Sequence, residues 1–376
     1  MSDLTCDVVV VGGGMAGISL AAALASDGRV VVVESEPELG RHATGRSAAS
    51  YLPSYGGAVA RALTVASRIG YDEASAERGD PLLTPHPMLL VSTDDESDRA
   101  LQETAEVTGS LDLVDSAGAI ALCDALRPER IRAGGVDSAG MAIEVAGLHQ
   151  LYLKRLRHAG GRILTSAPLH AVSRRTGGWQ VSAGEHSISA DVIVDAAGAW
   201  VDEVAALAGV PQIGLVPRRR SAFLVPIPVE LTANAATWPM VGDAADRWYL
   251  KPDGGQLLGS PADQTPCPPC DARPDELEIA RAIEEINGCT SLAIRHVSTT
   301  WAGLRSFVPD EMPVVGGWAD HPGFFFYAGQ GGFGIQMAPA LAELGAAILT
   351  RGESPPRLAA LGISAASVSP QRLAPE

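Results

Sequence analysis

The first 34 residues most constrain the fold of this chain. The apolar run at residues 6–11 predicts a buried β-strand, and it leads directly into a glycine-rich turn at residues 12–17. A helical pattern of small residues follows, and a second apolar strand at residues 30–33 ends on Glu34. This order of strand, glycine turn, helix, strand and acidic residue is typical of a βαβ unit that binds a dinucleotide.

Each part of this unit has a physical reason. Gly12 allows a tight turn out of the strand, Gly14 lets the backbone approach a pyrophosphate, and Gly17 lets the helix pack closely. The helix N-terminus offers N–H groups and a partial positive charge to the pyrophosphate. Glu34 is expected to accept hydrogen bonds from ribose hydroxyls. Because it would repel a 2′-phosphate, an NADP-type ligand is disfavoured.

Composition narrows the class of protein. The chain has 376 residues, of which 46% are hydrophobic and 19% charged, and its net charge is -16. The negative net charge argues against nucleic acid and anionic membranes as partners, since binding to either requires basic patches. The sequence contains no apolar run of the roughly eighteen residues that span a bilayer. The N-terminus lacks the basic region of a signal peptide, so we expect a cytoplasmic protein.

The five cysteines predict neither a disulfide framework nor a metal site. They are odd in number and scattered along the chain. Cys267 and Cys270 are separated by two prolines and lack a second ligand pair, so we expect a loop there.

The α/β pattern is interrupted twice. A strand at residues 88–92 and an acidic helix from Asp94 form one insertion, and a β-rich stretch with a helix at residues 274–287 forms the other. The pattern ends with a helix at residues 338–349 that Gly352 terminates. We therefore predict a discontinuous nucleotide-binding domain (residues 1–84, 145–215 and 295–376) and a substrate-binding domain (residues 85–144 and 216–294).

Three segments, at residues 41–49, 196–200 and 331–336, follow the βαβ unit in the order found in a known family. Together they resemble the FAD-dependent D-amino-acid oxidase superfamily, which includes enzymes that oxidise glycine, sarcosine and glycerol 3-phosphate. Within it, the chain is most similar to bacterial D-arginine dehydrogenase-type enzymes, on motifs at residues 44–49, 219–223, 249–253, 258–261, 300–307 and 331–336. The resemblance implies an α/β fold, in which an FAD-binding Rossmann-like domain of the GR2 type is interleaved with an antiparallel sheet and helices.

FAD is too long for one βαβ unit, so further segments must bind it. Along the loop at residues 41–49, Arg41 or Arg46 is expected to pair with phosphate, and small residues leave room for the flavin. Residues 303–336 contain no cysteine for a thioether link, and His42 is expected to be solvated, so we expect non-covalent FAD. The predicted FAD-binding residues are Gly12, Gly14, Met15, Ala16, Gly17, Glu34, Ser35, Arg41, Thr44, Arg46, Ser47, Ala48, Ala171, Val172, Ala197, Gly198, Trp200, Gly303, Gly331, Gly332, Gly334, Ile335 and Gln336.

Oxidation of an amino acid by a flavin requires the Cα–H to be aimed at the cofactor. A guanidinium is suited to this task because it binds a carboxylate through two parallel hydrogen bonds. Arg305 lies in an apolar motif and Arg220 precedes an apolar strand, and the resemblance implies that both bind the substrate carboxylate. It also places Tyr55 and Tyr249 at the mouth of the site.

Other candidate residues bear on two questions: what removes the proton from the substrate amine, and which substrate side chain the site accepts. Gln336 and the Gly332 carbonyl are expected near the flavin or the amine. Ser50 stands where D-arginine dehydrogenases are expected to carry histidine, so the site has no clear general base and selects the neutral amine or passes the proton to water. Met88 stands where those enzymes carry an acidic residue, and a methionine does not pair with a cation.

Met88, Met240 and Trp248 together indicate an apolar pocket. We therefore predict hydride transfer from the Cα of a neutral, hydrophobic D-amino acid to flavin N5. The imino acid then hydrolyses to a 2-oxo acid and ammonia, and D-arginine and D-lysine are not expected as substrates.

Several alternatives remain at this stage. The same site would serve a secondary or cyclic amine, such as a proline-like or N-methyl substrate or a biosynthetic intermediate. The loop at residues 41–49 argues against an NAD-linked dehydrogenase, and the set of Arg220, Arg305 and Tyr249 argues against a non-catalytic flavin-binding subunit. The sequence leaves open oxygen, a quinone or another carrier as electron acceptor, and a monomer or a homodimer.

Overall fold

The computed structural model describes residues 2–374. Met1, Pro375 and Glu376, which the predicted domain ranges include, lie outside the described residues. The strands are β1 Ser2–Val11, β2 Val30–Val33, β3 Ser50–Tyr51, β4 Leu83–Pro85, β5 Met88–Ser92, β6 Asp112–Asp115, β7 Ala133–Asp137, β8 Met141–Ile143, β9 Arg162–Leu164, β10 Leu169–Arg175, β11 Gly178–Ala183, β12 His186–Asp195, β13 Val216–Pro226, β14 Met240–Asp243, β15 Tyr249–Asp253, β16 Gln256–Ser260, β17 Thr299–Phe307, β18 Val314–Gly316 and β19 Phe324–Ala328. The α-helices are α1 Met15–Leu24, α2 Ala58–Arg78, α3 Asp95–Thr108, α4 Ser116–Leu122, α5 Val145–His158, α6 Val201–Leu207, α7 Thr232–Ala235, α8 Glu276–Cys289, α9 Ala338–Arg351, α10 Pro356–Ala359 and α11 Ala365–Val368.

The first sheet contains the βαβ unit that the N-terminal sequence predicts. Its strand order is β10-β11-β12-β1-β2-β9, and β19 pairs with the last residues of β12 and with β18. β1 lies parallel to both β2 and β12. All four residues of β2 are buried, as expected for a parallel strand covered on both faces. One face packs against α1, α5 and α9, which form the largest apolar cluster of the described residues.

The second sheet has the order β17-β13-β16-β15-β14-β5-β7-β6 and is antiparallel except between β5 and β14. It joins strands from both predicted insertions. The predicted boundary at residue 295 lies ahead of β17, yet β17 pairs with β13 along its whole length, from Thr299 to Phe307. The sequence marks this segment only as an apolar motif, and its place in the second sheet is set by a long-range pairing.

The ends of several helices follow local sequence signals. The Asp94 side chain accepts a hydrogen bond from the Ser97 N–H and begins α3, and Gly352, with φ of +76°, ends α9. The helix expected at residues 274–287 begins later, at Glu276, because the Asp275 carboxylate caps its first N–H groups. Between residues 2 and 374, no helix has both the length and the apolarity to cross a lipid bilayer.

Asp195 is a fully buried carboxyl group at the end of β12. One of its oxygens accepts a hydrogen bond from the Ala197 N–H at 3.2 Å, and the other has no partner. Burial raises the pKa of Asp195 well above its ordinary range. The folded protein therefore retains a proton that the unfolded chain releases above about pH 4.

We expect Asp195→Asn to stabilise the protein at neutral pH relative to wild type. Protonation of Asp195 contributes its full amount to the free energy of unfolding below about pH 4. This contribution falls as the pH rises from there toward the folded-state pKa. The variant does not ionise there, so its advantage in unfolding free energy should grow by up to about 1.4 kcal/mol per pH unit in that window. Urea unfolding at several pH values measures this, and a difference independent of pH would contradict it.

Candidate active site

A cavity of about 870 Å³ lies between the ends of the first sheet's strands and one face of the second sheet. This volume is at the upper end of the range for ligand sites, which is roughly 300–1,000 Å³. All of the predicted site residues line the cavity except Gly17, Ala171 and Val172. The fold therefore brings together residues that are separated by up to about three hundred positions in the sequence, while their individual roles remain predictions.

The glycine turn is compact because three backbone segments meet there. Gly12 has φ of +109°, and a Cβ at this position would lie 2.5 Å from the Ala196 carbonyl oxygen. A Cβ on Gly17 would lie 2.0 Å from the Gly12 carbonyl oxygen. Gly17 thus lies beneath the turn and away from the cavity, where it allows α1 to approach. Gly14 faces the cavity, and its nearest neighbour is the Thr44 hydroxyl.

The Glu34 carboxylate is fixed at the end of β2. One oxygen accepts from the Gly13 N–H at 2.7 Å and the other from the Glu36 N–H at 2.9 Å. The second of these oxygens, Oε1, also accepts from the Ser35 hydroxyl at 3.1 Å, so Oε2 is the oxygen that keeps a lone pair for a ligand hydroxyl. At the start of α1, the Thr44 hydroxyl accepts from the Met15 N–H at 2.9 Å. The first N–H groups of a helix lack partners within it, so this end of the cavity suits an anion.

The two arginines proposed for phosphate binding lie in different surroundings. Arg46 is engaged by protein groups, since it pairs with Asp271 and donates to the Ala302 carbonyl at 2.9 Å. These contacts fasten the loop to β17. Arg41 is more exposed and lies 3.4 Å from Glu36. Arg41 is therefore the better placed of the two to meet a phosphate.

The residues expected to contact the adenine do not border the cavity. Ala171 is exposed, and Val172 is buried in the apolar cluster on the other face of the first sheet. Residues 167–169 line the cavity instead. The irregular pairing of β10 between Leu169 and Ala171 changes which side chains face the site, and periodicity alone does not reveal such a bulge.

The middle of the cavity is bounded by Ala48 and by the glycine-rich turn. The Lys251 ammonium, which is buried, donates to the Ala48 carbonyl, and burial lowers the pKa of Lys251. Ala49 follows with φ of +58°. Across the cavity, the Gln336 amide oxygen accepts from the Leu52 N–H at 3.0 Å, while its buried Nε2 has no hydrogen-bond partner. This free donor suits an oxygen or nitrogen acceptor on a ligand.

Arg220 and Arg305 share one face of the second sheet. Arg220 is paired with Gly303, and Arg218 is paired with Arg305, on the neighbouring strands β13 and β17. Paired residues, and residues two apart on a strand, point to the same face. Arg220 is 7% exposed, and none of its guanidinium nitrogens has a hydrogen-bond partner. Its nearest counter-charge is Asp246, at 3.6 Å.

Arg305 is positioned by the residues around it. Its Nη1 donates to the Tyr55 hydroxyl at 3.3 Å. A Cβ on Gly332 would lie 2.8 Å from the guanidinium, so the absence of a side chain at that position makes room for Arg305. Burial acts to lower the pKa of Arg305, but Tyr55, Tyr249 and Asp246 more than offset it, and the pKa lies above its ordinary value.

The wall beside the two arginines is apolar. Met88 and Met240 are paired in register on β5 and β14, and Tyr249 packs in the same cluster. The Ser50 hydroxyl lies 3.6 Å from the Met240 sulfur. Ser50 therefore lines the cavity without a strong hydrogen-bond partner that would make it a base.

Four side chains that the sequence did not single out also shape the site. Asp246 lies beside Arg220, Lys251 donates to the Ala48 carbonyl, and Asp271 binds Arg46. His149 lies in α5, with Nε2 3.1 Å from the Gly13 carbonyl, and burial lowers its pKa. Each acts across a long sequence separation, so no local pattern marks it.

His42 and the cysteine pair lie near the predicted pyrophosphate region. The His42 ring packs on Trp200 with centroids 4.8 Å apart, and its Nε2 lies 2.9 Å from Glu36. It is thus more enclosed than the solvated residue we expected. Cys267 and Cys270 have Sγ atoms 3.5 Å apart, and the part of the chain that is described contains no group of three ligating residues for a metal.

The residues present fit FAD. The glycine turn leaves space for a pyrophosphate at a helix N-terminus, Glu34 borders the cavity with an oxygen that can accept from a ribose hydroxyl, and Gln336 offers an unpaired buried donor. The site thus defines a flavin-dependent oxidoreductase. The model of a family described as FAD dependent oxidoreductase, the DAO family, matches residues 7–348, and the chain belongs to this family. The predicted superfamily is confirmed, while the closer similarity to D-arginine dehydrogenases stays a prediction.

Individual relatives extend over nearly the whole chain. A glycine oxidase from Pseudomonas putida is 26% identical over 372 residues, which cover 92% of this chain and 95% of that protein. The structure of an L-proline dehydrogenase from P. horikoshii matches with a TM-score of 0.81, 20% identity, and coverage of 99% of this chain and 98% of that one. An L-α-glycerophosphate oxidase from Mycoplasma pneumoniae with FAD bound has a TM-score of 0.79 at 17% identity, covering 93% and 95% of the respective chains.

We expect Gly17→Ala to destabilise the protein and weaken FAD retention. The added Cβ would overlap the Gly12 carbonyl, and relieving this overlap must move the turn or α1, at a cost of about 1–3 kcal/mol. Gly288→Ala is a matched control, because Gly288 lies in α8 with open space around it. Thermal unfolding and flavin content after gel filtration measure both effects. Unchanged values for Gly17→Ala would show that α1 does not need this close approach.

Proposed function

We propose that this FAD-dependent oxidoreductase oxidises the CH–NH bond of a neutral, hydrophobic D-amino acid. The observation that carries the proposal is the buried guanidinium of Arg220, which has no hydrogen-bond partner and lies on the same face as Arg305. A buried, unpaired cation is costly, and an incoming carboxylate relieves that cost. Carboxylate binding by this pair orients the substrate Cα between the arginines and the apolar wall.

The same residues favour the reactive form of the amine. Bound FAD supplies the acceptor for the hydride that leaves Cα. Two guanidinium groups near the substrate disfavour an ammonium group, because like charges lower its pKa. The amine therefore loses its proton to water when the substrate binds, and no general base is needed. Loss of the hydride leaves an imino acid, which water converts to a 2-oxo acid and ammonia.

The apolar wall supports a neutral side chain. Met88 and Met240 border the cavity in one apolar cluster with Tyr249, while Trp248, which also lines the cavity, packs in the cluster on the other face of the sheet. Burying a lysine or arginine side chain against these groups without a partner would cost several kcal/mol. The D configuration is carried over from the family resemblance alone.

A secondary or cyclic amine is the second candidate. The structural similarity to an L-proline dehydrogenase favours it, since proline carries a cyclic secondary amine. The carboxylate clamp would serve this substrate equally, and the hydrocarbon ring of a proline-like molecule suits the apolar wall. The two candidate substrates differ in the space that the site must leave beside the amine nitrogen, because a secondary amine carries an additional carbon there.

Anaerobic bleaching of the flavin tests the proposal. The purified holoenzyme is mixed without oxygen with neutral D-, L- and N-alkyl amino acids, and with D-arginine and D-lysine. Rapid bleaching by neutral D-amino acids supports the leading candidate, and bleaching confined to proline-like or N-methyl substrates supports the second. Rapid bleaching by D-arginine contradicts the assignment of a neutral side chain. Re-admission of air then shows whether oxygen serves as the electron acceptor.

Arg220→Met and Arg305→Met should each raise KM at least about thirtyfold with retained flavin, because a substrate carboxylate loses a desolvated partner worth about 2 kcal/mol or more. Arg305→Lys should recover little, since an ammonium does not make the paired contact of a guanidinium. Arg218→Met is the control, because Arg218 lies on the same face but binds Glu311 outside the cavity. Steady-state kinetics measure these effects, and a normal KM in both methionine variants would exclude the clamp.

A further inference from the structure

The charges at the substrate end of the cavity do not cancel. Arg220 and Arg305 contribute two positive charges, and Asp243 and Asp246 are the acidic residues that border this end in the described structure. Asp243 is already ion-paired, because its two oxygens accept from the Arg247 guanidinium at 2.7 and 2.8 Å, and Arg247 also pairs with Asp94 at 2.7 Å. Asp246 is therefore the carboxylate whose charge acts on the two arginines.

Asp246 is held loosely at the cavity wall. It lies in the turn between β14 and β15 with φ of +56°, and its N–H donates to the Asp243 carbonyl at 3.0 Å. Its side chain is 44% exposed and lies 3.6 Å from Arg220, beyond hydrogen-bond distance. The Gln264 amide donates to it at 3.4 Å, which is a long contact. The Asp246 carboxylate thus acts on Arg220 as a nearby negative charge, while the N–H groups of Arg220 remain free to donate to a ligand.

We propose that Asp246 determines substrate charge by restricting the site to amino acids with a single carboxylate. This inference rests on the proposed function. Two guanidinium groups and the Asp246 carboxylate leave one net positive charge, which one substrate carboxylate balances when the amine is neutral. A second substrate carboxylate that approached Arg220 would lie beside Asp246, and this repulsion should cost about tenfold or more in affinity.

The chain offers a matched control. Glu311 also has a positive φ, of +57°, and pairs at 2.8 Å with Arg218, which faces the same side of the second sheet. Glu311 does not border the cavity. Asp246→Asn and Glu311→Gln therefore remove equivalent charges, one inside the site and one outside. Asp246→Gly is a second test variant, since glycine and asparagine both tolerate the backbone of this turn.

Binding is measured first, by calorimetric titration of the holoenzymes with butyrate and succinate, which are not amines. Wild type should prefer butyrate. In Asp246→Asn and Asp246→Gly, the ratio of the succinate to the butyrate dissociation constant should fall at least about tenfold. Glu311→Gln should leave this ratio at its wild-type value. Thermal unfolding of each variant verifies that the fold is kept.

Turnover is measured next with D-norvaline, D-glutamate and D-lysine. The Asp246 variants should gain activity on D-glutamate relative to D-norvaline by a similar factor, mainly through a lower KM. An unchanged binding ratio, or the same change in Glu311→Gln, would overturn the proposal. Activity of wild type on D-lysine that is lost in Asp246→Asn would also overturn it, because Asp246 would then bind a substrate cation.

The two sets of measurements separate this proposal from the proposed function. If no amino acid is oxidised but the succinate ratio shifts as expected, the charge role of Asp246 stands and the proposed substrate class fails. If amino acids are oxidised and the ratio does not shift, the proposed function stands and Asp246 has no role in selecting charge.

Discussion

The backbone pairing between β13 and β17 is the interaction on which the substrate half of the cavity depends. It sets Arg220 opposite Gly303 and Arg305 two residues further along the same face. The pairing thus places two guanidinium groups at one wall and leaves Arg220 without a hydrogen-bond partner from the protein. Such a buried cation is tolerated where a ligand completes it.

Two cationic side chains, the partly buried Arg46 and the buried Lys251, also connect the two halves of the site. Arg46 reaches the Ala302 carbonyl on β17, and Lys251 on β15 reaches the Ala48 carbonyl. Both contacts join the loop after β2 to the second sheet. These contacts form the boundary between the FAD-binding half and the substrate half of the cavity. At this boundary, the absence of a side chain on Gly332 leaves space for the Arg305 guanidinium.

Much of the fold could be predicted because its signals are local. The turn from Gly12 to Gly17, the end of α9 at Gly352 and the beginning of α3 at Asp94 each depend on a few neighbouring residues. Ala171 and Val172, which we expect at the adenine, do not border the cavity, and β10 has an irregular pairing just before them. The partner of β17 is not marked by any pattern within the strand itself.

The sequence by itself determined the nucleotide-binding unit, the family and about half of the residues that line the cavity, because these follow from motifs with fixed spacing. Only the tertiary structure determined which charged and polar groups lie close enough to interact. Asp246 reaches Arg220 through a turn with positive φ, and Lys251 reaches Ala48 across two hundred and three positions. Electrostatic interactions depend on distance in space and on burial, and neither quantity is contained in a local sequence pattern.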